Sequence, residues 1–484
     1  MTSNKALLAS LRNRPVPPWF DRAKFGIFVH WGVFSVPGFA PHSGKISEAN
    51  QTDYDNSISL SPYSEWYANA IRVDGSPSAQ FHAKTYGDRT YSSFKTDFEQ
   101  GLQQWDPQAW AKAFKASGAR YMVLVCKHHD GYCLWPSSHH NANEPQWFSQ
   151  RDIVGELAAA VRAEGLRFGV YYSGGIDWTF NRKVVRTFGQ FVGSSPRGDY
   201  PNYAEAQVRE LIERYKPDVL WNDISWPCNR NRTLQLFNDY YAAVPDGVIN
   251  DRWLHYGALM RTISFPPVTR LLDWYIKRQV RKHPESSSGV MPPEIAHSDF
   301  RTPEYTTFEA TEDKKWETTR GMSHSYGYNR NDTESDYESS EQLLFGFIDS
   351  VSKNGNLLLN VGPRGQDAQI PDVQLQRLAD IGVWLKGNAS AIYGSRPWRQ
   401  FAAKTDQGIG VRFTCIDTTL NIIFLGQLSG QRIVVRDLCI VGSAKLLSDD
   451  SKVELRQQDK DTAIHFEHEP KGELAYVVQV SLRD

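Results

Sequence analysis

Residues 152–172 read DIVGELAAAVRAEGLRFGVYY, and this stretch holds the repeating unit of the fold. Asp152 is an N-cap type. After it, Val154, Leu157, Ala158 and Val161 keep the i, i+3, i+4, i+7 spacing of a helix with one apolar face. Gly165 stops that helix, because glycine takes the left-handed C-terminal conformation without a Cβ clash. Arg167–Tyr172 then runs on as a short apolar segment. A helix with one apolar stripe that hands over to an apolar strand predicts a parallel sheet covered by helices.

The unit repeats on either side. Upstream, Asp106-Pro107 supplies a cap and an N1 proline, Gly118 ends the helix, and Arg120–Cys126 is the strand. Downstream, Val208, Leu211, Ile212 and Tyr215 keep the helical spacing before Pro217, and Asp218–Asn222 follows. Gln342–Val351, before Asn354-Gly355, and Gln374–Leu385 read as further helices. Eight strands are expected: Lys24–Trp31, Arg120–Cys126, Arg167–Tyr172, Asp218–Asn222, Gly247–Asp251, Asp299–Tyr305, Lys315–Gly321 and Asn356–Val361. That α/β order fits a closed (β/α)8-like (TIM-type) barrel, with an open doubly wound sheet as the alternative.

From Trp398 the pattern changes. Val411–Cys415, Leu420–Leu425, Ile433–Val435, Ala463–Phe466 and Tyr476–Val480 are short, β-branched and separated by polar turns, as in an antiparallel β-sandwich. Residues 1–393 are expected to form the barrel domain and residues 394–484 the C-terminal sandwich domain. Two long irregular stretches interrupt the barrel pattern, Ala40–Asp88 and Leu254–Ala296. The second carries a basic run, Lys277–His283, and a serine triplet, Ser286–Ser288. Long loops in a barrel build or shield the site, although a peripheral insertion reads the same way.

Charge excludes several partners. The chain has 54 Lys and Arg against 55 Asp and Glu, and no basic block that predicts nucleic acid or an anionic membrane. No apolar run approaches the roughly 20 residues of a membrane span. The N-terminus lacks the pattern of a secretory signal, so a cytoplasmic protein is expected. Five cysteines in irregular spacing, with no CxxC pair, predict free thiols in a reducing compartment. The 15 Trp and 22 Tyr suit stacking on sugar faces as well as ordinary packing.

Four clusters end candidate strands, where barrel enzymes keep their chemistry. His30 closes Phe28–Gly32; a lone histidine there is commonly structural. His128, His129 and Asp130 follow the second strand. They lack strong metal-ligand spacing, and neutral imidazoles hydrogen-bond sugar hydroxyls equally well. Asp223 ends the fourth strand with Trp221 on the same side, although a capping role also fits. Asn250–Trp253 ends the fifth run, and Glu304 lies in the sixth. Glycoside hydrolysis needs two carboxyl groups, and Asp223 with Glu304 could supply them.

Together these motifs resemble the α-L-fucosidases of glycoside hydrolase family twenty-nine. The resemblance runs from Trp19 to Trp398. It includes Trp19-Phe20 with Lys24–Gly32, Glu65-Trp66-Tyr67, Lys127–Gly131, Gly169–Gly174, Leu220–Asp223, Asn250–Trp253, Lys315–Arg320 and Gly355–Pro363, in family order. It implies a barrel with a β-sandwich and metal-free, cofactor-free, retaining removal of terminal α-L-fucose from oligosaccharides or glycoconjugates. It carries the nucleophile onto Asp223 and the acid/base onto Glu304, with Glu294, Glu309 and Glu317 as competitors. Fucose contacts carry onto His30, Glu65, Trp66, His128, His129, Trp221 and Arg252. Tyr171 is chosen over Tyr172, and Tyr326 is a wall for the sugar methyl. Linkage preference and homo-oligomerisation stay open. The competing readings are a fucose-binding protein without turnover, a metal-dependent barrel hydrolase using His30, His128 and His129, and an exo-glycosidase for another sugar.

Overall fold

The computed structural model describes residues 4–44, 46–255, 262–282 and 293–482. Seven strands, β1 Phe25–Val29, β2 Tyr121–Lys127, β3 Arg167–Ser173, β4 Val219–Asp223, β5 Val248–Ile249, β6 Trp316–Arg320 and β7 Gly355–Val361, form one parallel sheet. Their order is β5-β4-β3-β2-β1-β7-β6. The expected sixth strand, Asp299–Tyr305, is not a strand. It crosses the gap between β5 and β6 as irregular backbone. Asp299 N donates to Ile249 O, Arg301 N to Lys315 O and Tyr305 N to Thr319 O, each at 3.0 Å. Pro303 has no N–H to extend a ladder, and Tyr305 sits in the left-handed region at φ 50°. The barrel therefore has seven regular strands and one irregular eighth position. β5 is also shorter than the expected Gly247–Asp251.

Seven helices matter for the argument: α1 Pro107–Ala116, α2 Ile153–Ala163, α3 Tyr200–Tyr215, α4 Arg230–Ala243, α5 Pro266–Lys282, α6 Ser340–Ser352 and α7 Asp372–Ile392. Asp106 accepts from Gln108 N and Ala109 N, and Asp152 accepts from Gly155 N. Each such cap is worth about 1 kcal/mol. α2 buries Ile153, Val154, Leu157, Ala158 and Val161, the stripe read from its spacing. α5 lies in the stretch Leu254–Ala296, and it carries Lys277 of the basic run. His283 and Ser286–Ser288 lie outside the described residues.

Strand alternation separates two cores. Residues facing outward meet the helices. Those facing inward, among them Phe28, Val123, Val125, Tyr171, Val219, Trp221 and Leu358, fill the barrel. Tyr171 points in and Tyr172 points out, as one-face alternation requires. Trp221 is 1 % exposed, so cutting it to alanine would cost about 3–5 kcal/mol.

The chain leaves α7 at Ile392 and enters an antiparallel sheet at Arg396. Its strands are β8 Arg396–Lys404, β9 Gly410–Ile416, β10 Thr419–Leu425, β11 Arg432–Val435, β12 Gly442–Leu446, β13 Lys452–Gln458, β14 Asp461–Phe466 and β15 Tyr476–Leu482. They run in the order β11-β14-β13-β12-β15-β10-β9-β8. The ends approach each other through a Thr405–Val435 bridge, so the sheet folds over a single apolar core as a sandwich. Trp384 Nε1 donates to Ala475 O at 2.8 Å, and Thr414 Oγ1 to Ala391 O at 2.7 Å, which docks the sandwich on α7. The five cysteines are unbridged. No helix among the described residues is long and apolar enough to cross a membrane.

Candidate active site

A cavity of about 400 Å³ opens at the C-terminal ends of the barrel strands. All eleven residues singled out from the sequence line it: His30, Glu65, Trp66, His128, His129, Tyr171, Trp221, Asp223, Arg252, Glu304 and Tyr326. His30 follows β1, His128 and His129 follow β2, and Tyr171 lies in β3. Trp221 and Asp223 belong to β4, and Arg252 follows β5. Glu304 belongs to the irregular eighth position, and Tyr326 follows β6. Glu65 and Trp66 come from the long segment after β1.

Register sets the nucleophile-type carboxylate. Tyr171 pairs with Trp221 and Ser173 with Asp223 across β3 and β4. Tyr171 Oη donates to Asp223 Oδ2 at 2.7 Å, and Ile224 N donates to Oδ1 at 2.8 Å. Arg252 Nη1 lies 3.0 Å from Asp223 Oδ1 and 2.7 Å from Glu304 Oε1. The two carboxylate oxygens can then be no further apart than those two distances laid end to end. Arg252 is itself held: Nε donates to Thr302 Oγ1 at 2.9 Å and Nη2 to Thr302 O at 3.0 Å. Its guanidinium also lies 4.9 Å from the Trp221 ring centroid.

The shared guanidinium does not treat the two acids alike. Burial alone would raise Asp223. The Arg252 charge, His129 and the bonds from Tyr171 and Ile224 outweigh burial and hold its carboxyl below the ordinary value. Glu304 goes the other way. Burial and the Asp223 charge raise it, and Arg252 only partly offsets them. Glu65 is raised to about 7 by burial, although Gly327 N donates to its Oε2 at 2.9 Å.

Burial disfavours the charged form of all three histidines. Burial lowers His30 to about 3 and His129 to about 4, and puts His128 well below its ordinary value. Asn360 Nδ2 donates to Tyr326 O, so its Oδ1 accepts from His30 Nδ1 at 2.6 Å. Ser173 Oγ donates to Ile176 O, so it accepts from His129 Nδ1 at 2.7 Å. Both rings therefore keep Nε2 as an acceptor. His128 Nδ1 has no protein partner. Among the described residues, the group whose ligand atoms converge closely enough for a metal ion is His42, Asp332 and Asp336, outside this cavity.

The competing acids lie elsewhere. Glu317 is buried in the barrel interior beneath Tyr121, Glu309 is exposed, and Glu294 borders a different hollow beside Phe237. Several site residues had no sequence signal of their own. Ser173 and Asn360 orient the histidines, Thr302 anchors Arg252, and Ile58, Phe188, Phe191 and Ile224 line the outer cavity. Asn360, a polar residue ending an apolar strand, offered the one usable hint.

A family model described as Alpha-L-fucosidase matches residues 2–390. The tissue alpha-L-fucosidase of Mus musculus is 32% identical over 437 residues, covering 86% of this chain and 79% of its own length. Thermotoga maritima alpha-fucosidase, solved in complex with a mechanism based inhibitor, is 39% identical with a TM-score of 0.81, covering 98% of both chains. The same enzyme in complex with fucose gives 38% identity, a TM-score of 0.81 and the same coverage. With a barrel, a paired-carboxylate cavity and these relatives in agreement, the chain belongs to the alpha-L-fucosidase family of glycoside hydrolases.

Proposed function

We propose that this chain removes terminal α-L-fucose from oligosaccharides or glycoconjugates with retention, with Asp223 as nucleophile and Glu304 as acid/base. The observation that carries the reading is the single Arg252 nitrogen between two carboxylates whose proton affinities are pushed apart. Retaining glycosidases keep their carboxyl groups about 5–5.5 Å apart, which the shared nitrogen accommodates.

In the first half of the reaction, ionised Asp223 attacks the anomeric carbon as the C1–O bond breaks. Glu304 gives its proton to the departing oxygen. In the second half, Glu304 takes a proton from water, the water oxygen bonds to C1, and the ester to Asp223 breaks. Arg252 keeps Asp223 charged before attack. The neutral imidazoles and Glu65 hold sugar hydroxyls, and Trp66, Trp221 and Tyr326 cover its apolar edge. A sugar that lacks a partner hydroxyl leaves those buried groups unpaired, which supports selectivity for fucose.

Residues 1–393 serve as the catalytic domain, and residues 394–484 brace it. The unbridged cysteines support a reducing, cytoplasmic setting. The test is a panel of terminally fucosylated oligosaccharides with the first product followed by NMR. α-L-Fucose as the first anomer is expected; β-L-fucose first would overturn retention.

A further inference from the structure

The cavity has two halves of unlike chemistry. The inner half carries the acids, the arginine and the imidazoles. Beside them the lining includes an apolar group, Ile58, Phe188, Phe191 and Ile224, with Asn50, Ser61 and Tyr63 next to it, and none of these belongs to a barrel strand. Trp66, Phe191 and Phe188 form an aromatic series leading outward, with successive ring centroids 5.9 Å and 5.5 Å apart. Exposure rises from 7 % at Trp66 to 43 % at Phe188.

An isolated exposed phenylalanine is ordinary. This one extends a buried series out of a polar cavity, and its backbone is clamped. Asp273 of α5 accepts from Thr187 Oγ1, Gly189 N and Tyr54 Oη, each at 2.9 Å. It thereby ties the short helix Phe188–Val192 to the segment after β1. A Cβ on Gly189 would stand 2.5 Å from Asp273 Oδ1, so glycine there lets the carboxylate approach without shifting. Ile224, next to Asp223, sits at φ 71°, a costly conformation for a β-branched residue.

We propose that Phe188 and Phe191, with Ile58 and Ile224, form an aglycone subsite for the flat apolar face of the group attached to fucose. That face is an aryl ring or the C–H face of a second sugar. The subsite rests on the fucosidase reading of the inner half. It offers no polar partner from these four side chains, so it selects by contact area.

The test compares kcat/KM on three substrates: an aryl α-L-fucoside, an α-L-fucosyl disaccharide and α-L-fucosyl fluoride. Fluoride is a leaving group too small to reach the shelf. Phe188→Ala is expected to lower the aryl or disaccharide value relative to the fluoride value by about tenfold. Phe188→Tyr, which keeps the flat face, should restore the ratio. A fall for the aryl substrate alone names aryl aglycones, and a fall for the disaccharide alone names the sugar face. Equal changes on all three substrates would overturn the subsite. Wild-type protein inert toward the fluoride would instead overturn the fucosidase reading beneath it.

Discussion

Asp223 Oδ1 and Glu304 Oε1 converge on one atom, Nη1 of Arg252, at 3.0 Å and 2.7 Å. The acids come from different places, one from the end of β4 and the other from the irregular eighth position. Their environments differ where it counts. Asp223 also accepts from Tyr171 and Ile224, and Glu304 faces the Asp223 charge.

The pH profile of kcat/KM should follow from those opposite shifts. The proposed mechanism requires Asp223 ionised and Glu304 protonated. It is lost at low pH through the lowered Asp223 and at high pH through the raised Glu304. Glu304→Ala should lose about 10²–10⁴-fold on natural linkages, less on an aryl fucoside with an activated leaving group, and should lose the alkaline limb. Equal losses on both substrates would argue against the acid role.

Arg252→Lys keeps a positive charge but not the fork. One ammonium cannot reach Thr302 Oγ1, Thr302 O and both carboxylates together. Turnover is expected to fall about 10²-fold, and the acid limb to move to higher pH as the ammonium stands further from Asp223 than the guanidinium does. An unmoved acid limb would separate Arg252 from the control of Asp223.

Glu317 tests the assignment from outside the cavity. Burial raises its carboxyl to about 8 from 4.5, although Tyr121 donates to it. Below pH 4.5 the folded and unfolded chains both hold that proton, and its contribution to stability is complete. As pH rises toward 8, the unfolded chain gives the proton up first, and stability falls by up to about 1.4 kcal/mol per pH unit. Glu317→Gln removes this loss. Its Tm advantage over wild type should grow between about pH 5 and pH 8. A constant gap would contradict the buried, protonated state.

Prolonged chelation should leave kcat unchanged. Among the described residues, the group whose ligand atoms converge closely enough for a metal ion, His42, Asp332 and Asp336, lies outside the cavity, and the proposed mechanism works through carboxylates. Inactivation that added zinc reverses would favour the metal-dependent reading.

Much of this was legible in the sequence because the barrel is periodic. The α2 stripe, the caps at Asp106 and Asp152 and the apolar runs of β1–β4 and β7 are local signals. Asp299–Tyr305 was a weak, polar strand candidate taken for its place in the α/β order; Pro303 was visible in the sequence, but the left-handed backbone at Tyr305 that breaks the ladder was not. β8, β12 and β13 were not read: β8 is mostly half-buried and of mixed composition, β12 is short, and β13 is largely exposed and polar, so none carries a continuous apolar pattern. α5 was hidden by its basic, mostly exposed face. Asp223 and Glu304 could be named separately, but only folding brings them to Arg252. Phe188 and Phe191 gave no motif at all, because their meaning depends on where Asp273 holds them.

The most direct measurement is covalent trapping with a 2-fluoro fucosyl fluoride, followed by peptide mass mapping. The sugar should be found esterified to Asp223, and Asp223→Ala should take up none. A label on any other side chain, or turnover of Asp223→Ala within tenfold of wild type, would contradict the account.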